Sequence, residues 1–322
     1  MRVSKIAAEE FERTEYAVLI SALGFEKRST AVAERISLRC ISKFALGFDH
    51  NHDCSYDQND AWFREHGFTI LPSLNANDFS GALAQNTDAL LMRLQDKTKE
   101  GESKIAIDVS CFDRRRLADL VQWVRSIKIP RLVIDFWYCI AAFQPPSPTV
   151  GRNEVAGPVH RKFAGRFTEP GRPLALIAGL GYEIGRVMGA AEYLQASRVV
   201  AFVPESPVTE YEGEVFAANE TMLKDLEPRQ VLRYPVADPG RTLAMLDSTI
   251  RGLREHYNVV LLPGGPKLFA LCSLIACTIH RDAAVWRVSS GGSIKPRDIL
   301  PSSHFVGMRL RLNELEGHIS HA

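Results

Sequence analysis

The chain has 322 residues, 46% hydrophobic and 24% charged, and its 39 basic against 38 acidic side chains leave a formal net charge of +1. That length fits about two packed domains, and the charge balance, while it does not forbid a nucleic-acid partner, gives no electrostatic indication of one. The acidic start MRVSKIAAEEFERTEY lacks the apolar stretch of a secretory leader, and the longest apolar run, Leu268 to Ile279, is too short to span a bilayer, so a cytoplasmic protein with no membrane partner is expected.

In chain order, the first apolar run is AVLISALGFEKRS, from residue 17, followed by a helical pattern, AVAERI. A strand, KFALGF, leads to a polar stretch ending in QNDAWFREHGF; TILPSL follows, then KIAIDVS, a helical DRRRLADLVQWV and a last strand, RLVIDFWYC. From residue 174 the same order returns as LALIAGLGYEIGRVMG with GAAEYL, then RVVAFV, ANETMLKDLEP, LRYPVA, NVVLLPGG, PKLFALCSLIAC and AAVWRVS. Six features in register make this an internal repeat. Nearly continuous apolar strands alternating with helical patterns predict βαβ crossovers and parallel sheets covered on both faces. The fold class expected is therefore α/β, with two tandem Rossmann-like, doubly wound parallel sheets forming an internal pseudo-dimer.

The predicted strands lie near 15–22, 43–48, 68–72, 104–109 and 131–138, and again near 173–179, 198–203, 230–235, 258–262 and 284–289. The domains expected are 1–146, a basic Pro/Gly linker over 147–172 whose Phe163 and Phe167 pack on something, and 173–322, with HFVGMRLRL as a strand added to the second repeat.

In an open parallel sheet, ligands bind outside the carboxyl ends of the strands where strand order reverses, between strands one and four. The two most unusual loops follow those strands. After strand one come Gly24, Phe25, Glu26 and Arg28, matched by Gly181, Tyr182, Glu183 and Arg186. An arginine entering the first turn of a helix, beside its unpaired N–H groups, suits a phosphate or carboxylate; the same arginine could instead pair with the glutamate. After strand four the first copy has Asp108, Ser110, Cys111 and Asp113, then Arg114, Arg115 and Arg116; the second has Pro263, Gly264, Gly265, Pro266 and Lys267. Glycines admit close backbone approach and the lysine adds a point charge. Leu117, Leu120, Val121 and Val124 mark the buried stripe of the first helix, so at least one of the three arginines points outward. The ligand set expected is thus Gly24, Arg28, Ser110, Arg114, Arg115, Gly181, Arg186, Gly264, Gly265 and Lys267. Glu26, Asp108 and Glu183 would supply acid–base chemistry if the protein is an enzyme.

The segment Asp49, His50, His52, Asp53 and Cys54 has no zinc spacing and reads as a polar loop, so no metal site is expected. No motif identifies a cofactor: the chain has no G-x-S-x-G or H-E-x-x-H, and the first copy has no G-x-G-x-x-G after strand one. The six cysteines lack metal or redox spacing and are expected to be reduced, most of them in apolar runs. The helix 267–280 is apolar almost all round, which suggests an interface between the copies, with a protein partner, or in a homodimer.

The strand-one loop and LLPGGPKLFALCSLI make the second copy resemble the CRISPR-associated Rossmann-fold (CARF-like) sensor domains and their relatives in prokaryotic defence systems, over some 120 residues. The resemblance implies a bacterial protein of antiviral defence or stress response that binds a nucleotide or another anionic small ligand. An enzyme acting on a nucleotide or nucleic-acid end, and a non-catalytic complex subunit, are the alternatives.

Overall fold

The computed structural model describes residues 2–48, 52–71, 83, 102–129, 131–146, 153–167, 169, 171–289 and 296–312. It divides into two compact units, Met1–Ala142 with Pro296–Ala322, and Phe143–Lys295.

The first unit runs β1 (Arg2–Ile6), α1 (Ala8–Phe11), β2 (Tyr16–Ala22), α2 (Ala31–Ile36), β3 (Cys40–Leu46), α3 (Tyr56–Glu65), β4 (Thr69–Leu71), β5 (Ser103–Asp108), α4 (Arg114–Ser126) and β6 (Leu132–Ala141). The second runs β7 (Val155–Pro158), β8 (Leu174–Gly179), α5 (Arg186–Tyr193), β9 (Arg198–Glu205), α6 (Glu210–Asp225), β10 (Val231–Pro235), α7 (Pro239–Arg254), β11 (Asn258–Pro263), α8 (Lys267–Ile279) and β12 (Ala284–Ser289). The chain then returns to the first unit as β13 (Pro301–Arg311).

Both units are α/β, with mixed, mostly parallel sheets. The first sheet has the order β1-β13-β6-β5-β2-β3-β4 and the second β10-β9-β8-β11-β12-β7. The five repeated strands of each unit, counted in chain order, therefore stand in one order, 3-2-1-4-5, all parallel. This is the doubly wound order with its reversal between strands one and four. In the second unit, right-handed crossovers then carry the helices after strands one and two to one face and those after strands three and four to the other. The buried faces agree. In the second unit Val187 and Ala190 of α5 and Val215 of α6 pack on Leu176, Ala178, Val203 and Leu262. On the first unit's α4 the predicted stripe Leu117, Leu120, Val121 and Val124 is buried.

Two expectations are corrected. The strand HFVGMRLRL belongs to the first sheet, where β13 pairs antiparallel with both β6 and β1. The reason is Asp135, a carboxylate in the middle of an apolar strand and wholly buried. β13 sets Arg309 directly opposite it, and the guanidinium donates from Nε to Oδ1 and from Nη2 to Oδ2, both at 2.8 Å. Gly307 faces Trp137, whose ring fills the space a side chain would need. Part of the expected linker is also sheet: β7 pairs antiparallel with β12, and Phe163 is buried while Phe167 stays 38% exposed.

Helix α8 answers the question its composition raised. Residues from Leu268 to Cys277 are all buried within the one chain. Phe269 packs against Phe202 and Tyr234, and the thiol of Cys272 reaches the Pro239 carbonyl of α7. The expected docking of a partner or a second copy through 267–280 is therefore corrected, because the helix is core and has no apolar face left over.

No two of the six cysteines form a disulfide. Cys111, Cys139, Cys272 and Cys277 are buried and Cys54 is exposed; burial pushes the thiols of Cys40, Cys139 and Cys272 up to about 12. Among the described residues no helix is long and apolar enough to cross a membrane.

Candidate functional site

The strand-one loops of the two units share a backbone and an anchor. Leu23 N–H bonds the Leu46 carbonyl of strand two and Leu180 N–H that of Phe202, both at 2.9 Å. From there Gly24 corresponds to Gly181 and Glu26 to Glu183. In each unit an asparagine on the helix after strand two holds this loop. Asn59 Nδ2 donates to the Gly24 carbonyl at 2.8 Å and the Glu26 carbonyl at 3.0 Å. Asn219 Nδ2 donates to the Gly181 carbonyl at 2.7 Å and the Val215 carbonyl at 2.8 Å. Both asparagines are buried. Sequence reasoning left them out of the site, although the repeated Asn-acidic pair of QNDAWF and ANETML was the signal.

In the first unit the expected site residues are brought together, but as interior. Arg28 is 5% exposed, its Nε 2.5 Å from the Glu26 carboxylate and its Nη1 donating to the Cys139 carbonyl at 3.2 Å. The Cys139 N–H in turn donates to Ser110 Oγ at 2.8 Å, and Ser110 N–H donates to Asp108 Oδ1 at 2.9 Å. Cys111 Sγ lies 3.9 Å from Glu26. Burial works against the Arg28 charge, but the adjacent Glu26, together with Tyr138 and Cys111, holds the guanidinium's pKa well above its ordinary value. The strand-one and strand-four loops meet, as the topology requires, but Glu26, Arg28, Asp108 and Ser110 form a buried network that ties both to β6. One shared cleft was expected; the structure brings these four residues together and leaves little of them exposed.

The chain's own carboxylate also closes this loop. Asp298 accepts from Lys27 N–H at 2.7 Å and from Ser55 Oγ at 2.6 Å, while Arg28 N–H donates to the Ile299 carbonyl at 3.1 Å. Of the three arginines opening α4, Arg116 is buried, donating to the Gly47 carbonyl and lying over the Phe48 ring; Arg114 and Arg115 are half-buried. His52 stacks on Tyr56 and bonds the Phe48 carbonyl at 2.9 Å, which suits a polar loop; Asp49 and His50 lie outside the described residues.

Below this loop, Asp119 on α4 is a buried acid. Burial pushes its carboxyl up to about 6; Arg115 and Arg116 oppose the shift and Asp113 adds to it. A raised folded pKa means that the native state takes up the proton more readily than the unfolded chain. Asp119 therefore penalises folding above about pH 6, and the penalty is relieved as pH falls from 6 towards 4. Asp119→Asn is expected to stabilise the protein by about 1–3 kcal/mol at pH 7. Thermal melts from pH 4 to pH 8 check it: the variant should lose the parent's decline between pH 4 and 6, and a variant with the parent's profile refutes the assignment.

The second unit's loops are built differently. Gly264 N–H donates to the Gly179 carbonyl at 3.0 Å, so the strand-four loop rests on the strand-one loop. A Cβ on Gly179, Gly264 or Gly265 would come within 3.0 Å of the facing ring or carbonyl oxygen. The Gly-Gly pair expected to approach a ligand thus first lets the two loops approach one another. Gly185, at φ +70°, caps α5, and Arg186 follows as its first residue. Arg186 Nη1 lies 3.3 Å from the Glu183 carboxylate, with side chains 19% and 39% exposed against 6% and 13% for the first unit's pair. Gly264, Gly265 and Lys267 are also half-buried. Of the three candidate carboxylates Glu183 is the most accessible.

A cavity of about 820 Å³ opens at the opposite edge of the first sheet. Its walls are the amino ends of β2, β3 and β5 with Glu10, Arg13, Arg39 and Lys104, of both charge signs and far from any motif singled out in the sequence.

No family model matches the chain, and no curated protein matches it significantly. Among solved structures it is similar to leucoanthocyanidin reductase in its binary complex with NADPH from Vitis vinifera, at 12% identity and a TM-score of 0.23, over 83% of this chain and 92% of that one. Neither the fold nor the site described above rests on that likeness.

Proposed function

We propose that the protein binds a nucleotide-type anionic ligand at a single working site in the second unit, with Arg186 and Lys267 contacting the anion and Gly181, Gly264 and Gly265 shaping the loops around it. The first unit is the structural copy. The observation that supports this is the asymmetry of two equivalent loops. One is buried and closed by Asp298; the other keeps its Glu183–Arg186 pair partly exposed beside the half-buried Lys267. The N-terminal end of a helix favours negative charge, and an arginine and a lysine at two such ends reinforce it. A sensor role in a bacterial defence or stress module is the finer reading, supported by the resemblance of the strand-four element LLPGGPKLFALCSLI to the CARF-like domains.

The test is calorimetric titration of the full chain with ATP, GTP and cyclic oligonucleotides. Arg186→Ala and Lys267→Ala should each weaken binding about ten- to a hundredfold, the worth of one charge-assisted contact. Arg114→Ala, in the first unit, should bind as the parent does. A parent that binds none of these ligands, or variants that bind as the parent does, refutes the reading.

A further inference from the structure

Tyr182 sits inside the second unit's strand-one loop, between Gly181 and Glu183. Tyr211 is the second residue of α6, the helix that follows strand two, so both side chains arise at the carboxyl edge of the sheet. Their rings lie within 9° of parallel with centroids 5.8 Å apart, an offset stack. Phe143 meets Tyr211 edge-on, at 77° and 5.3 Å. Both tyrosines are half-buried. Rings contributed by the strand-one loop and the start of α6 thus share one orientation beside Arg186. The 5.8 Å spacing is too small to take a base between them.

We infer that Tyr182 and Tyr211 form a stacking platform for a nucleobase, which makes the ligand of this unit a base-bearing nucleotide and not a bare phosphate or carboxylate. The inference rests on the anion-site reading above and adds the part of the ligand which that reading leaves open. Aromatic rings stack on every base, because every base has a π-face, so the platform sets a preference for nucleotides over inorganic anions without dictating which base. Arg186 and Lys267 give the phosphates their place, and the platform lies on the strand-two side of them.

The experiment compares ATP, GTP and inorganic tripolyphosphate on the parent, Tyr211→Leu and Tyr211→Phe. The parent should bind both nucleotides about tenfold or more tighter than tripolyphosphate. Tyr211→Leu should lose that advantage while binding tripolyphosphate unchanged, and Tyr211→Phe should keep it. A parent that binds tripolyphosphate as tightly as the nucleotides overturns the platform and leaves the anion site standing; a parent that binds none of the three overturns both. If Tyr211→Leu does not fold, the parent decides alone: NOEs between base protons and tyrosine ring protons support the platform, and their absence in a saturated complex overturns it.

Discussion

Arg309→Met is expected to destabilise the first unit by about 3–5 kcal/mol, the cost of leaving a buried charge without its partner. Asp135 has no solvent exposure, and Arg309 holds both of its oxygens while sending Nη1 to Glu10 at 2.7 Å. Tyr16 Oη donates to Asp135 at 3.1 Å and accepts from Trp137 Nε1 at 3.0 Å. Burial first, and then Asp135, push the Tyr16 hydroxyl far above its ordinary value, so it remains a donor at every working pH. With methionine at 309, Asp135 keeps that one neutral donor in a place water does not reach. Arg309→Lys should recover only part of the loss, since an ammonium cannot span the carboxylate with two parallel bonds. Arg309→Met combined with Asp135→Leu should recover more, because a buried pair is replaced by apolar volume with no charge stranded. Three of the four tryptophans, Trp62, Trp123 and Trp137, belong to this unit, so their fluorescence in urea follows its unfolding. An Arg309→Met variant within about 1 kcal/mol of the parent would show that the pair contributes nothing net, as exposed ion pairs often do.

The same network explains why the sequence misplaced β13. The alternation in HFVGMRLRL was legible as a strand, but a strand found after the second repeat is naturally assigned to the nearest sheet. Its true partner is specified by one acid in LVIDFWYC, a charge in an apolar run that periodicity alone treats as noise. The strands common to both repeats were legible because most are nearly continuous apolar runs, many with glycine or proline near one end, and their shared order follows from repetition. Local spacing brought Glu26 and Arg28 together but could not tell a buried pair from an exposed one. That depends on β6 supplying the Cys139 carbonyl and on Asp298 arriving from more than 200 residues away. The loop asparagines were visible in both copies without any sign of their role, since a side chain that caps a carbonyl in another loop leaves no periodicity.

Gly265→Ala is expected to be the most damaging of four glycine replacements in the second unit, at about 2–4 kcal/mol, the sum of a strained backbone and an overpacked contact. Its φ is +62°, in the left-handed region, and a Cβ there would lie within 3.0 Å of the Leu180 carbonyl oxygen. That obstacle is backbone, in a residue whose own N–H is fixed to the Phe202 carbonyl at 2.9 Å, so it cannot rotate aside as a side-chain tip would. The two loops must part, and Gly264, whose N–H bonds the Gly179 carbonyl, parts with them. In the first unit Cys111 occupies the equivalent place, and a Cβ on Gly24 would meet it at 3.0 Å, so that loop pair tolerates a side chain on one partner only. Gly185→Ala is the matched control. It has φ +70° but open space around the missing Cβ, and it should cost about 1 kcal/mol from the backbone alone. Gly213→Ala and Gly252→Ala, inside α6 and α7 with nothing near the added methyl, should stabilise by about 0.5–1 kcal/mol. Chemical denaturation of the four variants gives the ranking directly. Because the loops that part carry Arg186 and Lys267, Gly265→Ala should also weaken binding at the site proposed above, whereas Gly213→Ala should not. A Gly265→Ala protein that ranks with Gly185→Ala would show that the loop contact yields without cost and is not what sets the geometry of the site.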